Sequence, residues 1–247
     1  MHKILKNRLE QGCRTSGYPK EKIELPPRYR GLPRLHPDAP FHLAVKCADA
    51  CPQNAIDPER RRIDMGRCVF CGTCERVSEG RFVTFTKDFE LAVAEKDHLM
   101  TDGTVPDLAA HSRRHFKKLF GRSLQLRQVS AGGCNACEAD LNVLATPFFD
   151  LARFGINFVA SPRHADGIVV TGPVSRNMKQ ALLDTYAAVP DPKVVIAVGS
   201  CAISGGPFAG SPEVMEGVDT LLPVDLFIPG CPPHPMTNLH ALLTFFK

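Results

Sequence analysis

The second half of the chain alternates short apolar runs with longer stretches of helical periodicity. LQLRQVS (124–130) reads as a strand, and four short apolar runs that end in glycine or other turn residues have the length of buried strands: 156–161, 167–172, 193–199 and 225–230. Three stretches repeat apolar residues at helical spacing: 139–154, 175–188 and 235–246. Because strands that alternate with helices form parallel sheets, residues 123–247 are expected to form a doubly wound α/β domain of the flavodoxin-like type with a mainly parallel sheet.

Residues 1–100 follow a different pattern. This half is rich in proline, arginine and cysteine, and its strand-like pieces are short, such as RFVTFT at 81–86. The segment 101–122 then predicts a linker between two domains. It includes the basic run HSRRHFKKLFGR (111–122), for which a solvated, helical linker and a phosphate-binding patch are both open interpretations.

Composition and charge exclude several classes of protein. The formal net charge of the 247 residues is only +4 and basic residues do not form a long run, so no nucleic-acid partner is expected. No segment approaches the ~18 apolar residues of a transmembrane helix. Charges interrupt every apolar run of the first residues, MHKILKNRLEQGCR, which is not typical of a signal peptide. The 10 cysteines therefore favour a reducing compartment and metal or redox chemistry over disulfides.

The segment GRCVFCGTCERVSEG (66–80) has the spacing of an iron–sulfur motif. Cys68, Cys71 and Cys74 match the first three cysteines of the bacterial ferredoxin pattern C-x2-C-x2-C-x3-C-P. Ser78 and Glu79 stand where the fourth cysteine and its proline belong. This motif by itself therefore lacks one ligand.

The segment FHLAVKCADACP (41–52) has the complementary defect. Cys51 and Pro52 occupy the last two places of the pattern and Cys47 the third, whereas Phe41 and Ala44 replace the first two cysteines. In two-cluster ferredoxins the fourth cysteine of each run binds the other cluster. Cys51 would thus complete one [4Fe–4S] site with the triplet, while the other site has lost its ligands. These residues predict an α+β ferredoxin-like domain that has lost one whole cluster.

A structural zinc site is the alternative for these four cysteines, since zinc also binds four thiolates tetrahedrally. A C-x2-C-x2-C triplet with a remote C-P is more typical of iron–sulfur proteins. Cys47 is interpreted as a relic thiol and Cys13 as a small side chain without a ligand role.

Four further cysteines lie after predicted strands of the second half. Cys134, Cys201 and Cys231 each follow a strand within about four residues, and Cys137 lies one short loop beyond Cys134. Because loops at the carboxyl ends of parallel strands meet at one edge of the sheet, the four thiolates are expected to bind one buried cluster there. The neighbouring glycines either form turns or let backbone N–H groups approach sulfur: 132–133, 199, 205–206 and 230.

Four segments of the second half are highly specific together: SAGGCNACEAD (130–140), RHADGIVVTGPVSRNM (163–178), AVGSCAISGGPF (197–208) and FIPGCPPHP (227–235). They resemble the small subunit of membrane-bound, energy-converting [NiFe] hydrogenases, above all of formate hydrogenlyase, which is homologous to the 20 kDa subunit of complex I. The resemblance implies that Cys134, Cys137, Cys201 and Cys231 bind the proximal [4Fe–4S] cluster. Complex I subunits typically have adjacent cysteines where this chain has C-x2-C, which favours the hydrogenase side.

The first half carries blocks of a second kind: ILKNRLEQG, YRGLP, CPQNAI, GRCVFCGTCE and DFELAV. They are similar to blocks of the ferredoxin-like subunit of formate hydrogenlyase. The chain therefore looks like a fusion of two electron-transfer subunits. The missing cluster is its departure from the family pattern.

The resemblance implies an electron-transfer subunit of an oxidoreductase with two [4Fe–4S] clusters, which is not catalytic alone. The chain has neither a further C-x2-C pair for nickel nor a nucleotide-binding fingerprint. The expected partners are a [NiFe]-hydrogenase-type large subunit and other iron–sulfur and membrane subunits. The expected location is cytoplasmic, with peripheral attachment to the inner membrane through those partners. A complex I-like complex without nickel and a non-redox zinc-binding scaffold are the alternatives.

Three further residues match recurrent family positions. Glu138 either takes part in a proton path or is a carboxylate at a helix N-terminus, where the helix dipole favours negative charge. His164 and Arg176 either contact the large subunit or form hydrogen bonds within turns. His234 is not needed as a ligand.

Overall fold

A computed structural model of the protein describes residues 2–108, 118–120 and 123–246. The first half contains three helices and five short strands among these residues: α1 (His2–Gln11), β1 (Pro33–Leu35), α2 (Phe41–Asp49), β2 (Ile56–Asp57), β3 (Arg62–Asp64), α3 (Thr73–Val77), β4 (Val83–Phe85) and β5 (Met100–Thr101). Strands β1 and β4 pair antiparallel, and β2, β3 and β5 form a second antiparallel sheet. The strand expected at 81–86 is confirmed as β4.

The second half alternates strands and helices, as its apolar pattern predicts: β6 (Leu124–Ser130), α4 (Ala136–Val143), β7 (Ile156–Phe158), β8 (Gly167–Thr171), α5 (Arg176–Ala188), β9 (Val194–Val198), α6 (Ser200–Ser204), β10 (Leu226–Ile228) and α7 (Pro235–Phe246). The five strands form one parallel sheet in the order β10–β9–β8–β6–β7. Numbered within this half, that order is 2-1-3-4-5, the flavodoxin-like arrangement. The predicted α/β class is therefore confirmed.

The helix expected over 139–154 is wrong in length. It ends at Val143, and a separate 3-10 turn follows at Leu151–Phe154. Pro147 causes the break, because a proline lacks the N–H that a continuing helix needs and restricts the residue before it. Asp150 then adopts a left-handed conformation (φ 48°), which reverses the chain. The apolar residues at helical spacing in this stretch belong to two separate elements.

Both faces of the parallel sheet are covered, and every residue of β8 and β9 is buried. One face packs against α7 and α4, through residues such as Leu239 and Leu141. The other packs against α5 and α6, and side chains of the first half, such as Leu91 and Val93, belong to the same apolar cluster. The two halves therefore share the core around this sheet.

Polar contacts and a backbone pairing also join the halves. Val93 and Phe227 exchange backbone hydrogen bonds of 3.0 and 2.8 Å at the free edge of β10. Lys96 forms an ion pair with Asp219 at 2.7 Å, and the Tyr18 hydroxyl lies 2.7 Å from His240 Nδ1. The domain boundaries at 100 and 123 stay a prediction, and most of the basic run at 111–122 lies outside the described residues. Within the ranges described, no helix is long and apolar enough to cross a membrane.

The packing of α7 generates the first prediction. Phe245 is fully buried, and its ring meets the Phe246 ring edge-on at 4.9 Å. We expect Phe245→Ala to lower the free energy of unfolding by about 3–5 kcal/mol, because it removes apolar contacts and leaves a cavity. Anaerobic denaturant unfolding measures this loss.

Leu9→Ala provides the matched control, since Leu9 is 85% exposed on α1. It should change the unfolding free energy by no more than about 0.5 kcal/mol. Equal effects of the two substitutions would contradict the core described for α7.

Candidate metal centres

Four cysteines of the first half line one cavity: Cys51, Cys68, Cys71 and Cys74. The remaining wall is largely apolar and includes Ile56, Ile63 and Phe85. Cys47 does not line this cavity. The structure thus brings the triplet and the remote Cys51 together, in the grouping that the ferredoxin pattern predicts.

Local backbone geometry presents these thiols. Cys51 lies just after α2, and Cys68 and Cys71 lie in the loop before α3, whose N-cap Gly72 adopts a left-handed conformation (φ 72°). The N–H groups of Ala55 and Phe70 point at the sulfur atoms of Cys51 and Cys68, each at 3.4 Å. Such N–H donors stabilise negative charge on sulfur, which suits thiolate ligands.

The electrostatics of this site oppose ionisation of the Cys68 and Cys74 thiols. Burial raises the pKa of Cys68, and nearby Cys74, Cys51 and Cys71 add to the effect. Burial likewise raises the pKa of Cys74 to about 12, with contributions from Cys47, Cys51 and Cys71. Four thiolates can share this cavity only if a bound cation offsets their charge. The donor set therefore fits an iron–sulfur cluster or another thiophilic metal centre.

The positions that the ferredoxin pattern predicts for a lost site hold packed side chains. Ala44, Cys47 and Ser78 are fully buried, whereas Phe41 is 54% exposed. The Cys47 thiol and the Ser78 hydroxyl both donate to the Cys74 carbonyl, at 3.4 and 2.9 Å. Cys13 is exposed on the surface.

The four cysteines of the second half meet at the carboxyl edge of the parallel sheet. Cys134 and Cys137 follow β6, Cys201 follows β9, and Cys231 follows β10. Burial raises the pKa of Cys137, and the thiols of the other three contribute to the shift. Burial raises the pKa of Cys201 to about 11, with Cys231 and Cys134 acting in the same direction. Cys134 and Cys231 are exposed.

Two of the neighbouring glycines lie directly against cysteine sulfur. A Cβ at Gly199 (φ 87°) would stand 2.6 Å from Cys137 Sγ, and one at Gly206 (φ 54°) would stand 2.9 Å from Cys201 Sγ. Both positions thus require glycine for conformation and for space. By contrast, a Cβ added at Gly132 would meet Ser175 and one added at Gly230 would meet Pro233, so these two glycines do not lie directly against cysteine sulfur.

Glu138 is a buried structural link beside Cys137. Its carboxylate is only 5% exposed and accepts hydrogen bonds from Ser130 (2.6 Å) and Thr171 (2.7 Å), the last residues of β6 and β8. Burial acts to raise the pKa of Glu138, but these two hydrogen bonds and one from its own backbone together outweigh it, and the pKa is lowered. Glu138 lies in the first turn of α4, as the helix N-terminal interpretation predicts.

The other residues singled out in the sequence lie outside the cysteine groups. His164 and Arg176 lie at a 3-10 turn and at the start of α5. His234 is half-buried, and its Nδ1 accepts the backbone N–H of Met236 at 3.1 Å. The sequence analysis did not single out Ser200, whose side chain forms a hydrogen bond with the first half. The one sequence feature that could have indicated it is its position directly before Cys201.

A single-ion site is a separate question from a cluster site. In the segments that the structure describes, no three His, Cys, Asp or Glu side chains converge closely enough for one metal ion. Each thiolate of a [4Fe–4S] cluster binds a different iron, so its ligands lie farther apart than those around one tetrahedral zinc. This finding therefore concerns single ions alone.

Comparison with known proteins places the second half in a family. Residues 134–245 match the family model described as the NADH ubiquinone oxidoreductase 20 Kd subunit. The probable membrane-bound hydrogenase subunit of Pyrococcus furiosus is 43% identical over 126 residues, which cover 51% of this chain and 75% of that protein. The chain belongs to the 20 kDa subunit family.

Further members show the breadth of the 20 kDa subunit family. Formate hydrogenlyase subunit 7 of Escherichia coli is 42% identical over 56% of this chain and 54% of its own length. An NADH-quinone oxidoreductase subunit of Clostridium beijerinckii is 41% identical over 66% of this chain and 90% of its own length. These relatives are named as subunits of oxidoreductases. The matched segment 134–245 contains all four cysteines of the second group and none of the first.

The close approach at Gly199 generates the second prediction. Gly199→Ala would push a methyl group into Cys137 Sγ, so we expect it to abolish metal loading at the second cysteine group. Iron and acid-labile sulfide per chain, measured after anaerobic reconstitution, should fall to about half.

Gly210→Ala is the control, because Gly210 also has a positive φ (83°) but no atom within 4 Å of the added Cβ. Both variants carry the cost of a non-glycine residue at positive φ, about 1–3 kcal/mol. If Gly210→Ala lost as much iron as Gly199→Ala, strain alone would account for the effect and the contact with Cys137 would be irrelevant.

Proposed function

We propose that the chain is an iron–sulfur electron-transfer subunit of a membrane-associated [NiFe] hydrogenase complex of formate hydrogenlyase type. One observation carries this proposal: two groups of four cysteines lie in adjacent halves that share a core, and a hydrogen bond of 2.7 Å joins Ser200, next to Cys201, to the Cys68 carbonyl. Neighbouring redox sites that are fixed relative to one another are what an electron relay requires.

Each group of four cysteines would hold one [4Fe–4S] cluster, which gains or loses one electron when bound. Cys51, Cys68, Cys71 and Cys74 would hold the first, and Cys134, Cys137, Cys201 and Cys231 the second. The apolar wall around the first group, including Ile63 and Phe85, excludes water and favours the less charged state. The N–H groups of Ala55 and Phe70 act in the opposite direction, because they donate to cysteine sulfur and so stabilise the more negatively charged state of the cluster.

Three domain assignments belong to the proposal. Residues 1–100 would be a ferredoxin-like domain with one cluster lost, 101–122 a linker, and 123–247 the 20 kDa subunit-like domain. The buried Ala44, Cys47 and Ser78 support the lost cluster, because their positions hold packed side chains.

Exposure of the second group supports a partner at this edge of the sheet. Cys134 and Cys231 are exposed, and a cluster held there would face solvent unless another subunit covered it. The named relatives in Pyrococcus furiosus and Escherichia coli support a [NiFe]-type large subunit as that partner. The chain would be located in the cytoplasm and attached to the inner membrane through this and other iron–sulfur and membrane subunits.

A complex I-like complex without nickel is the second candidate. The relative in Clostridium beijerinckii, of which the chain covers 90%, favours it, whereas the C-x2-C spacing of Cys134 and Cys137 favours the hydrogenase. The companion large subunit decides between them. Two C-x2-C pairs in that subunit would indicate a nickel site, and their absence would indicate the complex I-like alternative.

The cluster count is the third prediction. Anaerobically purified chain should contain about eight iron and eight sulfide per molecule and show two [4Fe–4S] signals by electron paramagnetic resonance after reduction. Cys51→Ser should remove or alter the first signal and should retain the second, apart from its interaction with the first. Cys47→Ser should retain both, because Cys47 lies outside the cavity that Cys51 lines.

Two outcomes would refute parts of this proposal. Zinc without acid-labile sulfide would indicate the zinc-binding scaffold and exclude the relay. Three cluster signals would show that the first half retains a second cluster.

A further inference from the structure

The short helix α6 connects the two cysteine groups. It contains Cys201, and its first and last residues are the serines Ser200 and Ser204. Both serines contact the loop that contains Cys68. Ser200 Oγ donates to the Cys68 carbonyl at 2.7 Å, and Ser204 Oγ donates to the Gly66 carbonyl at 3.0 Å. One turn of helix thus fixes a ligand loop of the second group against a ligand loop of the first.

Ser200 differs from Ser204 because its contacts involve cysteine residues of both groups. Ser200 is covalently joined to Cys201, and its hydroxyl bonds the main chain of Cys68. Its N–H donates to the Gly230 carbonyl at 2.9 Å, directly before Cys231. Ser200 is 1% exposed, so water does not replace these contacts.

This arrangement provides a continuous route between the two groups. From Cys68 the route follows covalent bonds to the carbonyl oxygen, crosses the 2.7 Å hydrogen bond, and follows covalent bonds through Ser200 to Cys201. Electronic coupling decays less across covalent and hydrogen bonds than across a van der Waals gap. A hydroxyl at this position therefore couples the groups better than a methyl group would.

We propose that the Ser200 hydroxyl is the electronic bridge between the two clusters. This inference rests on the proposed function, since it requires both clusters. In the step concerned, one electron leaves the reduced cluster and reduces the other, no covalent bond forms or breaks, and no proton is transferred. Ser200 would touch neither cluster itself and would act through Cys68 and Cys201.

The fourth prediction tests this bridge in the full chain with both clusters reduced. Multifrequency electron paramagnetic resonance separates the exchange interaction between the clusters, which reports the bonded route, from the dipolar interaction, which reports their separation. In Ser200→Ala we expect the exchange interaction to fall several-fold while the dipolar interaction stays unchanged. Ser200→Thr keeps the hydroxyl and should retain most of the exchange interaction.

Ser204→Ala is the matched control, because it removes a hydrogen bond from the same helix to the same loop without touching Cys68. It should leave the exchange interaction unchanged. An unchanged exchange interaction in Ser200→Ala would overturn the inference, and so would a fall accompanied by a weaker dipolar interaction, which would show that Ser200 only sets the distance.

The same measurement distinguishes a failure of the proposed function from a failure of the bridge alone. Wild-type chain without two reduced cluster signals would refute the relay and the bridge together. Wild-type chain with two interacting signals, combined with an insensitive Ser200→Ala variant, would refute the bridge alone.

Discussion

Four thiolates held at one site repel one another, and the scaffold must hold the cysteines together against that repulsion. Burial raises the pKa of Cys74 to about 12 and of Cys201 to about 11, and neighbouring cysteines act in the same direction. A bound cation would offset the charge of the Cys74 and Cys201 thiolates, so metal binding and deprotonation are linked at these two residues. Rigid elements must position the sulfur atoms beforehand.

The two halves meet this requirement by different means. In the second half, the buried parallel sheet fixes the carboxyl ends of β6, β9 and β10, and the loops that follow bring the cysteines together. Gly199 then allows contact between two of these loops that any side chain would prevent. In the first half the strands are short, and the thiols line an apolar cavity between the segment after α2, the loop before α3 and strand residues such as Ile63 and Phe85. The two serines of α6 and the backbone pairing of Val93 with Phe227 join the two halves to each other.

The sequence was most informative where local pattern and tertiary structure agree. Apolar runs that end in turn residues predicted β8, β9 and β10, whose residues are all buried, because a strand buried on both faces is apolar almost throughout. At β6 only Leu124, Leu126 and Val129 are buried, and the segment LQLRQVS predicted the strand without such a run. The pattern failed at 139–154, where apolar spacing continued through Pro147 and the helix did not. It also could not reveal Ser200, since its hydrogen bond to Cys68 joins residues 132 positions apart and leaves no periodic signal. Contacts of this kind depend on how two separately patterned halves pack.

The proposed loss of a cluster would explain why polar atoms remain in the core of the first half. A cluster that disappears leaves a cavity unless side chains fill it, and empty volume is destabilising. Ala44 and Phe82 are fully buried within the apolar cluster there. Cys47 and Ser78 could not become apolar at no cost, because both donate to the Cys74 carbonyl. That carbonyl belongs to a proposed ligand of the remaining cluster. Two positions that would have bound the lost cluster thus support a ligand of its neighbour, which gives Cys47 a structural role that spacing alone did not suggest.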